Sequence, residues 1–563
     1  MNILVLQTAR IGDTLQTTPL LSNIRKKFPH AHITLMIRSM SEPVAKANPD
    51  INDYIIYNED PIFSDLLSND SDRLLNAYQT TEKFITELQS RKFNKAYNVT
   101  HSTSSALLLK LAEIEDVVGA NISSDWVFNL KGAWTVYFFT SVLSRDYNDL
   151  NLCDIFKLYE PVNDSVDSLI YEVKKEGEEY ARELFNRYSI SSEEMVICLQ
   201  LGASEPVKRW PPEFFAKLAK LIHEKHKARF FLVGVTSEAE LGNRFQKEVP
   251  GLAIPLFGKT NLDQLAGLLK HSSALITNDT GTMHLAVAVR CPVLLVSVGY
   301  VHFRETGPYG RKNIAVELRE RSFKMDISSR HTEDTFADKI SPEQVFQAFE
   351  WLIHYRSQEL ITQQENSLTM ENINVHISEF ASDGCLQFLP LIRREITEKD
   401  FLRLAYREMW IESFGTSIIS KNENLGTLET LKYYKIPQDT ITKDWSKEFS
   451  AIFEELAKKY KQGIYITEQI RHSLANKNIS KAKEQVKLLT EIDEQIRIFS
   501  EINPYLKPLT NVTKFERDNL EGNNPLELCK QTLNIYKGGY ERSSAMGKKV
   551  KHIIEKMNRI KSL

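Results

Sequence analysis

The segment Asn278-Asp279-Thr280-Gly281-Thr282-Met283-His284 decides the fold. The apolar run Ala274-Leu275-Ile276 precedes it, and a second apolar run begins at Leu285. This order predicts a buried strand, a glycine-containing turn and the start of a helix. Such a turn directs several backbone N–H groups, together with the positive end of the helix dipole, at one point that suits a phosphate. An ordinary helix cap without a ligand is the alternative.

The same alternation of strands and helices occurs on both sides of a polar linker at 160–165. It predicts two parallel α/β sheets with right-handed crossovers. Ligands bind beyond the carboxyl ends of such strands, so we expect a cleft between the two halves. The predicted strands are 3–6, 33–37, 54–57 and 95–99 in the first half, and 195–199, 229–233, 274–276 and 293–296 in the second.

The character of the chain changes after about residue 360. We predict domains at 1–160 and 166–357, a polar stretch at 358–372, and a mainly helical appendage of unknown role at 373–563. The helices expected in that appendage are 403–413, 445–461, 465–475, 479–500, 526–537 and 546–562.

Composition excludes several classes of protein. A chain of 563 residues with 42% hydrophobic and 26% charged residues is an ordinary globular protein of at least two domains. The net charge of −3 argues against nucleic acid as a partner. The five cysteines form no CxxC pair, which favours reduced thiols. The first apolar run lacks a basic region before it, and no run reaches about 18 residues, so we expect a cytoplasmic protein.

Two loops carry candidate catalytic groups. Asp13 follows the first strand beside Gly12, where a carboxylate facing the cleft could act as a general base. Ser204 and Lys208 follow a strand of the second half and could hold a diphosphate together with the Thr280-Gly281 turn. The plainer alternatives are a structural Gly-Asp turn and a solvated basic loop.

Three other positions could contact a nucleotide. His284 lies about one helical turn after Thr280 and could point back at an anion, although it could equally be a packed histidine. Glu238 and Glu240 follow the strand that ends at Gly234, where a carboxylate could bind a ribose hydroxyl. The sequence does not distinguish between these two glutamates.

A DxD pattern, Asp70-Ser71-Asp72, is typical of some metal-dependent nucleotide sites. Here it opens a predicted helix instead of following a strand. We therefore interpret it as a helix N-cap and predict no metal site.

Taken together, these motifs resemble glycosyltransferase family 9, the ADP-heptose:lipopolysaccharide heptosyltransferases. The resemblance rests on TARIGDTLQTTP at 8–19, LGAS at 201–204 with KRWP at 208–211, NDTGTMHLA at 278–286, and weaker segments around 98–108 and 117–119.

The resemblance implies a GT-B architecture, in which two Rossmann-like domains with parallel sheets face each other across a cleft. It implies transfer of a heptose from an ADP-sugar to a lipopolysaccharide core or other surface glycan, with inversion, and without a metal or cofactor. The N-terminal domain would hold this glycan or glycolipid acceptor, and the C-terminal domain the nucleotide-sugar donor.

The resemblance also implies roles for individual residues. Asp13 would take the proton of the acceptor hydroxyl, and Lys208, Ser204, Thr280 and Gly281 would stabilise the diphosphate. Asp279 would bind ribose or sugar, His284 would support the phosphate loop, and Glu238 or Glu240 would contact the nucleoside. Arg10 and His101 are weaker candidates for an anionic acceptor.

The chain departs from the family pattern in two places. The segment at 300–304 lacks the Thr-x-Pro that often follows the glycine equivalent to Gly299, and the region after 360 lies outside the pattern. Near the end, the apolar positions Val550, Ile553, Ile554 and Met557 alternate with lysines. That helix could lie on the inner face of the membrane, or it could pack on neighbouring helices.

Two other functions stay open at this point. A catalytically retired sugar-binding scaffold would use the appendage to recruit partners. A sugar-nucleotide epimerase of similar build would need no acceptor. The sequence does not define the oligomeric state.

Overall fold

The computed structural model describes residues 1–300, 302–319, 336–355, 370–415 and 425–561. Its first domain contains a six-stranded sheet whose strands alternate with helices. The elements are β1 (Asn2–Gln7), α1 (Ile11–Lys27), β2 (His32–Ile37), α2 (Glu42–Lys46), β3 (Asp53–Ile56), α3 (Glu59–Leu66), α4 (Ser71–Ser90), β4 (Lys95–Asn98), α5 (Thr103–Leu111), β5 (Val117–Ile122), β6 (Phe128–Lys131), α6 (Ala133–Leu143) and α7 (Leu152–Lys157).

The strand order is β3-β2-β1-β4-β5-β6. The first five strands are parallel, and β6 pairs antiparallel with β5. All four strands predicted in this half are confirmed. The sequence prediction missed β5 as a strand because Gly119 and Asn121 interrupt its apolar run, and it missed β6 because the edge strand is short and polar.

The second domain contains an eight-stranded sheet in the order β14-β13-β12-β11-β10-β7-β8-β9. The four strands predicted here are also confirmed. The elements are α8 (Lys175–Arg187), β7 (Val196–Gln200), α9 (Pro212–His226), β8 (Arg229–Val233), α10 (Ala239–Glu248), β9 (Ala253–Pro255), α11 (Leu262–Lys270), β10 (Ala274–Thr277), α12 (Gly281–Ala288), β11 (Val293–Ser297), α13 (Phe303–Thr306), β12 (Ile314–Leu318), α14 (Pro342–Tyr355), β13 (Ile373–Phe380) and β14 (Leu386–Pro390).

The expectation of a helical appendage beginning at 373 is wrong for its first residues. Strands β13 and β14 add antiparallel to β12 and complete the second sheet. Ile373, Val375 and Ile377 all pack into the core on one face of that sheet. Their period of two was the available signal for a strand. Most of the polar stretch predicted at 358–372 lies outside the described residues, and the exact domain boundaries stay predictions.

The remaining residues are mainly helical, as expected. The elements are β15 (Arg394–Glu395), α15 (Glu398–Phe414), α16 (Leu425–Leu431), β16 (Tyr434–Lys435), α17 (Asp439–Ala475), α18 (Ile479–Ile502), α19 (Lys507–Asp518) and α20 (Pro525–Lys561). Helices α17 and α20 each run unbroken over 37 residues, where the sequence predicted two shorter helices in each place.

Two glycines lie where α17 and α20 pack against each other. A Cβ on Gly463 of α17 would lie 2.3 Å from the ring of Tyr536 on α20. Reciprocally, a Cβ on Gly539 of α20 would lie 2.6 Å from the ring of Tyr460 on α17. Both glycines therefore make room for a tyrosine of the facing helix, and neither marks a break.

The helical region shares its hydrophobic core with the first domain. Trp410 on α15 packs edge-on against Tyr137 of α6 at 5.5 Å between ring centroids, and Phe414 contacts Trp134 at 5.7 Å. Helix α6 packs in one hydrophobic core with these helices and with one face of the first sheet. The appendage is thus packed onto the first domain.

The apolar face of the C-terminal helix is not available to a membrane. Val550, Ile553 and Met557 are fully buried in the shared core, and Lys556 is buried against Glu408. The interpretation of this helix as a membrane-surface helix is therefore wrong, and the packing alternative is right. Within the part of the chain that the structure describes, every helix is too short or too polar to span a bilayer.

Buried ion pairs join the three regions where they meet. Asp149, from the first domain, accepts from Arg403 Nε (3.1 Å) and lies 3.6 Å from Arg304 Nε. Arg407 Nη1 donates to its other carboxylate oxygen (3.3 Å). We call this cluster the junction network; its members are Asp149, Arg304, Asp383, Arg394, Asp400, Arg403 and Arg407.

Candidate active site

A cleft of about 630 Å³ lies between the carboxyl ends of the two sheets. Both domains line it, as the sequence predicted. The polar residues of its wall are Arg10, Asp13, Gln16, Gln200, Ser204, Lys208, Glu238, Thr260, Asn261, Asp279, Thr280, Thr282, His284 and Thr306.

Two helices meet at this cleft with their N-termini. A Cβ on Gly12, at the start of α1, would lie 3.4 Å from the Cα of Gly281, the first residue of α12. The same Cβ would lie 3.0 Å from Cδ2 of His284. The first N–H groups of a helix lack partners within the helix, so both ends bring partial positive charge to one place.

Asp13 belongs to the first turn of α1 and lines the cleft. Its Oδ2 accepts from the backbone N–H of Arg10 (3.1 Å), which fixes the carboxylate at the helix start. Burial raises the pKa of Asp13 above its usual value, although Arg10 and Lys208 oppose the rise. A carboxylate with a raised pKa is a stronger base than an ordinary aspartate.

Asp279 faces Asp13 from the second domain. Burial raises the pKa of Asp279, Lys208 opposes this, and the charge of Asp13 raises it further. The two carboxylates and the ammonium are therefore close enough to influence one another's ionisation. Carboxylates that repel each other around one buried lysine form an electrostatic arrangement typical of a ligand site.

Asn278 holds the Lys208 loop in position, a role that the sequence reading did not assign. Its Oδ1 accepts from the backbone N–H of Trp210 (2.9 Å), and its Nδ2 donates to the carbonyl of Leu201 (2.9 Å). Arg209 closes the same loop by donating to the carbonyl of Ala203. Asn278 is fully buried between the two loops, so the segment that decides the fold also positions Lys208.

The structure separates the two candidate glutamates. Glu238 lines the cleft, where its Oε2 accepts from Gln200 Nε2 (3.0 Å) and from the backbone N–H of Val235 (3.1 Å). Its carboxylate lies so close to Gly202 that a Cβ there would be 1.7 Å from Oε1. Glu240 is exposed and accepts from Asn243 on its own helix, so the structure does not bring it to the cleft.

Gln200 is a buried cleft residue that sequence reasoning missed. Its Oε1 accepts from Thr282 Oγ1 (3.2 Å) while its Nε2 donates to Glu238. It therefore links the start of α12 to the carboxylate at the far end of the cleft. Its place as the last residue of β7 was the available signal, since strand ends face the cleft.

The remaining predicted residues fall into two groups. Ser204, Thr280, Gly281, His284 and Arg10 all line the cleft. His101 does not: its Nε2 pairs with the hydroxyl of Tyr159 (2.7 Å), and its ring stacks on Phe138 at 4.1 Å. Burial among these rings lowers the pKa of His101 to about 3. The structure therefore places His101 in an aromatic cluster and not at an acceptor site.

His284 is buried at the junction of the two helix starts. Its Nδ1 has no hydrogen-bond partner within the described residues, and burial lowers its pKa to about 4. The edge of the ring that carries Cδ2 and Nε2 faces Gly12, so His284 packs where the starts of α1 and α12 approach each other.

The DxD pattern is a helix cap, as predicted. Asp70 Oδ1 accepts from the backbone N–H of Asp72 (2.9 Å) at the start of α4, outside the cleft. Among the residues that the structure describes, no group of three or more His, Cys, Asp or Glu side chains is arranged to hold a metal ion.

Several known proteins are similar in sequence to this chain. Residues 81–335 match the family described as glycosyltransferase family 9 (heptosyltransferase). Lipopolysaccharide heptosyltransferase 2 of Escherichia coli is 26% identical over 307 residues, which cover 52% of this chain and 82% of that protein. Lipooligosaccharide heptosyltransferase 2 of Haemophilus influenzae is 23% identical over 331 residues, 57% of this chain and 89% of the relative.

A solved structure shows the same fold. The glycosyl transferase family 9 protein of Veillonella parvula superposes with a TM-score of 0.53 at 22% identity, covering 63% of this chain and 97% of the other. Two Rossmann-like domains facing a charged cleft define the GT-B class of glycosyltransferases. Within that class, residues 81–335 match glycosyltransferase family 9 (heptosyltransferase), which confirms the resemblance seen in the motifs.

Proposed function

We propose that the cleft transfers a heptose, or a related sugar, from an ADP-sugar to a hydroxyl of a lipopolysaccharide core or other surface glycan. The proposal rests above all on the placement of Asp13 opposite Lys208 and Asp279 in one cleft. The names of the heptosyltransferase relatives suggest, by analogy, the heptose and the lipopolysaccharide acceptor, whereas the ADP group is what the resemblance of the motifs implies.

Asp13 is the general base in this proposal. It accepts the proton of the acceptor hydroxyl as that oxygen attacks the anomeric carbon from the face opposite the diphosphate. The C–O bond to the diphosphate breaks as the new glycosidic bond forms, so the configuration inverts. The raised pKa of Asp13 supports this role because it brings the carboxylate closer in basicity to neutral pH.

Lys208 and the start of α12 stabilise the leaving ADP. Charge develops on the diphosphate as its bond to the sugar breaks, and preorganised cations and N–H groups stabilise that charge most in a cleft shielded from water. Because the chain itself supplies this positive charge through Lys208 and two helix N-termini, we propose that no metal or cofactor is required. Ser204 and Thr280 would donate to the same phosphates.

The two ends of the cleft would hold the rest of the substrates. Glu238 would accept from a ribose hydroxyl, with Gln200 keeping its carboxylate in place, and Asp279 would contact the sugar. Arg10 lies on the acceptor side and would meet an anionic group of the glycan. All five cysteines are buried thiols, which supports a reducing compartment, the cytoplasm, as the location.

A transfer assay tests the proposal. EDTA-treated wild-type protein should add one heptose to a lipopolysaccharide core that lacks it, detected as a mass increase and absent for Asp13→Asn. Asp116→Asn is the matched control: Asp116 is 57% exposed and precedes β5, at the sheet edge opposite the cleft. Normal turnover by Asp13→Asn would refute the base assignment. Binding of sugar without transfer would favour the alternative, a retired sugar-binding scaffold.

A further inference from the structure

Lys208 is held by two side chains that the family motifs do not include. Its Nζ lies 4.8 Å from the ring centroid of Tyr300 and 3.5 Å from Oε1 of Glu205. The lysine side chain is only 10% exposed, whereas the Glu205 side chain is 41% exposed. The ammonium is therefore covered by an aromatic ring on one side and paired with a solvent-facing carboxylate on another.

Tyr300 and Glu205 also bind each other. The Tyr300 hydroxyl donates to Glu205 Oε1 (2.7 Å), the same oxygen that pairs with Lys208. This hydrogen bond, together with Lys208 and Arg10, lowers the pKa of Glu205, so its carboxylate is ionised at neutral pH. Lysine, glutamate and tyrosine thus form a closed triangle at the edge of the cleft.

The backbone before Tyr300 is shaped for this contact. A Cβ on Gly299 would lie 2.6 Å from Cγ of Lys208, so any residue other than glycine would collide with the lysine side chain. Tyr300 stands in the segment where the chain departs from the Thr-x-Pro pattern of the family. The segment that departs from the pattern therefore contributes Tyr300, whose ring contacts Lys208, the lysine on which the proposed reaction depends.

We propose that Tyr300 is a positioning residue for Lys208, and that Glu205 is an internal competitor for the place of the donor diphosphate. This inference rests on the proposed function of the cleft. The ring keeps the ammonium fixed without neutralising it, because a cation over an aromatic face retains its full charge. Glu205 pairs with the ammonium of Lys208 while the cleft is free of donor. The diphosphate of the donor carries more negative charge and displaces the Glu205 carboxylate from the ammonium.

The two roles predict opposite effects on nucleotide binding. Without the ring, the ammonium samples more positions and binds a phosphate less well. Without the Glu205 charge, the diphosphate no longer has to displace a bound carboxylate, so binding becomes tighter. A merely structural role for either residue would weaken binding in both variants.

Calorimetric titration with ADP tests this inference. We expect Tyr300→Leu to weaken ADP binding about 3- to 10-fold and Glu205→Gln to strengthen it by a similar factor. Tyr300→Phe keeps the ring and should restore wild-type affinity to within about 2-fold. In transfer assays Tyr300→Leu should lower kcat more than it raises the KM for the donor, whereas Glu205→Gln should mainly lower that KM.

Matched controls are Tyr78→Leu, a 62% exposed tyrosine on α4, and Glu224→Gln, an exposed glutamate on α9. Both should bind ADP like the wild type. Equal affinity in wild type, Tyr300→Leu and Glu205→Gln would overturn this inference and leave the proposed function intact. An absence of ADP binding by the wild type itself would overturn the proposed function, and this inference with it.

Discussion

The cleft and the junction network both bury aspartates beside cations, yet the pKa values of their aspartates shift in opposite directions. At the junction, Arg403 and Arg394 outweigh the effect of burial and hold the pKa of Asp400 well below its usual range. In the cleft, burial prevails and the pKa values of Asp13 and Asp279 are raised. The junction has enough cations for its carboxylates, whereas the cleft has two facing carboxylates around Lys208.

This difference distinguishes charged groups that stabilise the fold from charged groups that are available for binding or catalysis. In the junction network each aspartate pairs with at least one arginine, so its charges contribute to the arrangement of the domains. A cleft in which Asp13 and Asp279 both have raised pKa values is arranged for a ligand that is not part of the chain. Substitutions at the two places should therefore have different consequences.

The largest effect is expected at Asp13. Asp13→Asn removes the proposed base and should lower kcat by about 100-fold or more, with little change in donor affinity. Since burial disfavours the ionised carboxylate, the neutral amide should leave the unfolding temperature unchanged or raise it. A fall in both activity and unfolding temperature would show that Asp13 stabilises the fold as the junction aspartates do. The contrast between the cleft and the junction network would then be wrong.

Lys208 comes next. Lys208→Ala should lower kcat by about 100- to 1000-fold, because the charge that develops on the leaving diphosphate loses its main cation. Lys208→Arg, which keeps the charge with a different shape, should recover part of that loss. Retention of wild-type kcat in Lys208→Ala, measured with saturating donor, would remove this residue from the mechanism.

At the junction the expected effect is on stability. Asp149→Asn leaves three buried arginines with one carboxylate fewer and should destabilise the protein by about 3–5 kcal/mol. The exposed pair Asp146–Lys399 joins the same two regions, with side chains 62% and 61% exposed. Asp146→Asn should cost less than about 1 kcal/mol. If Asp149→Asn and Asp146→Asn lowered the free energy of unfolding in denaturant equally, burial of the junction network would not be what stabilises the contact between the first domain and the helical region.

The smallest effect concerns pH. Asp13 must be ionised to act as a base, so kcat should rise with pH through a midpoint above 3.8, the ordinary aspartate value. Asp279→Asn removes a neighbouring negative charge, which makes ionisation of Asp13 easier. In Asp279→Asn the midpoint of the rise in kcat should therefore lie at a lower pH than in the wild type, by a fraction of one pH unit as an order-of-magnitude expectation. A shift to higher pH would contradict the repulsion between the two carboxylates.

The sequence predicted those parts of the fold that rest on local signals. The parallel strands have continuous apolar runs, and Asp13 and Lys208 follow strands directly, so both reached the cleft as expected. The start of α14 is equally local, since the Ser341 N–H donates to Gln344 Oε1 (2.9 Å) in a capping box. Each of these features is specified within about ten residues of chain.

Other features depend on contacts between distant segments. Asn278 meets Trp210 across 68 residues, and Arg407 meets Asp149 across 258, distances in sequence over which no local pattern operates. The gaps between the predicted helices contain Gly463 and Gly539, whose tyrosine partners lie on another helix. His101 was a weaker candidate for an anionic acceptor, and the aromatic rings that surround it come from the distant helices α6 and α7.

The central claim is that the chain itself supplies the positive charge that holds a nucleotide diphosphate in the cleft. Titration of EDTA-treated wild-type protein and Lys208→Ala with ADP-heptose tests it most directly. The account predicts saturable binding by the wild type, weakened at least about 10-fold in the variant and unaffected by added magnesium. Binding that requires magnesium, or that survives Lys208→Ala unchanged, would contradict it.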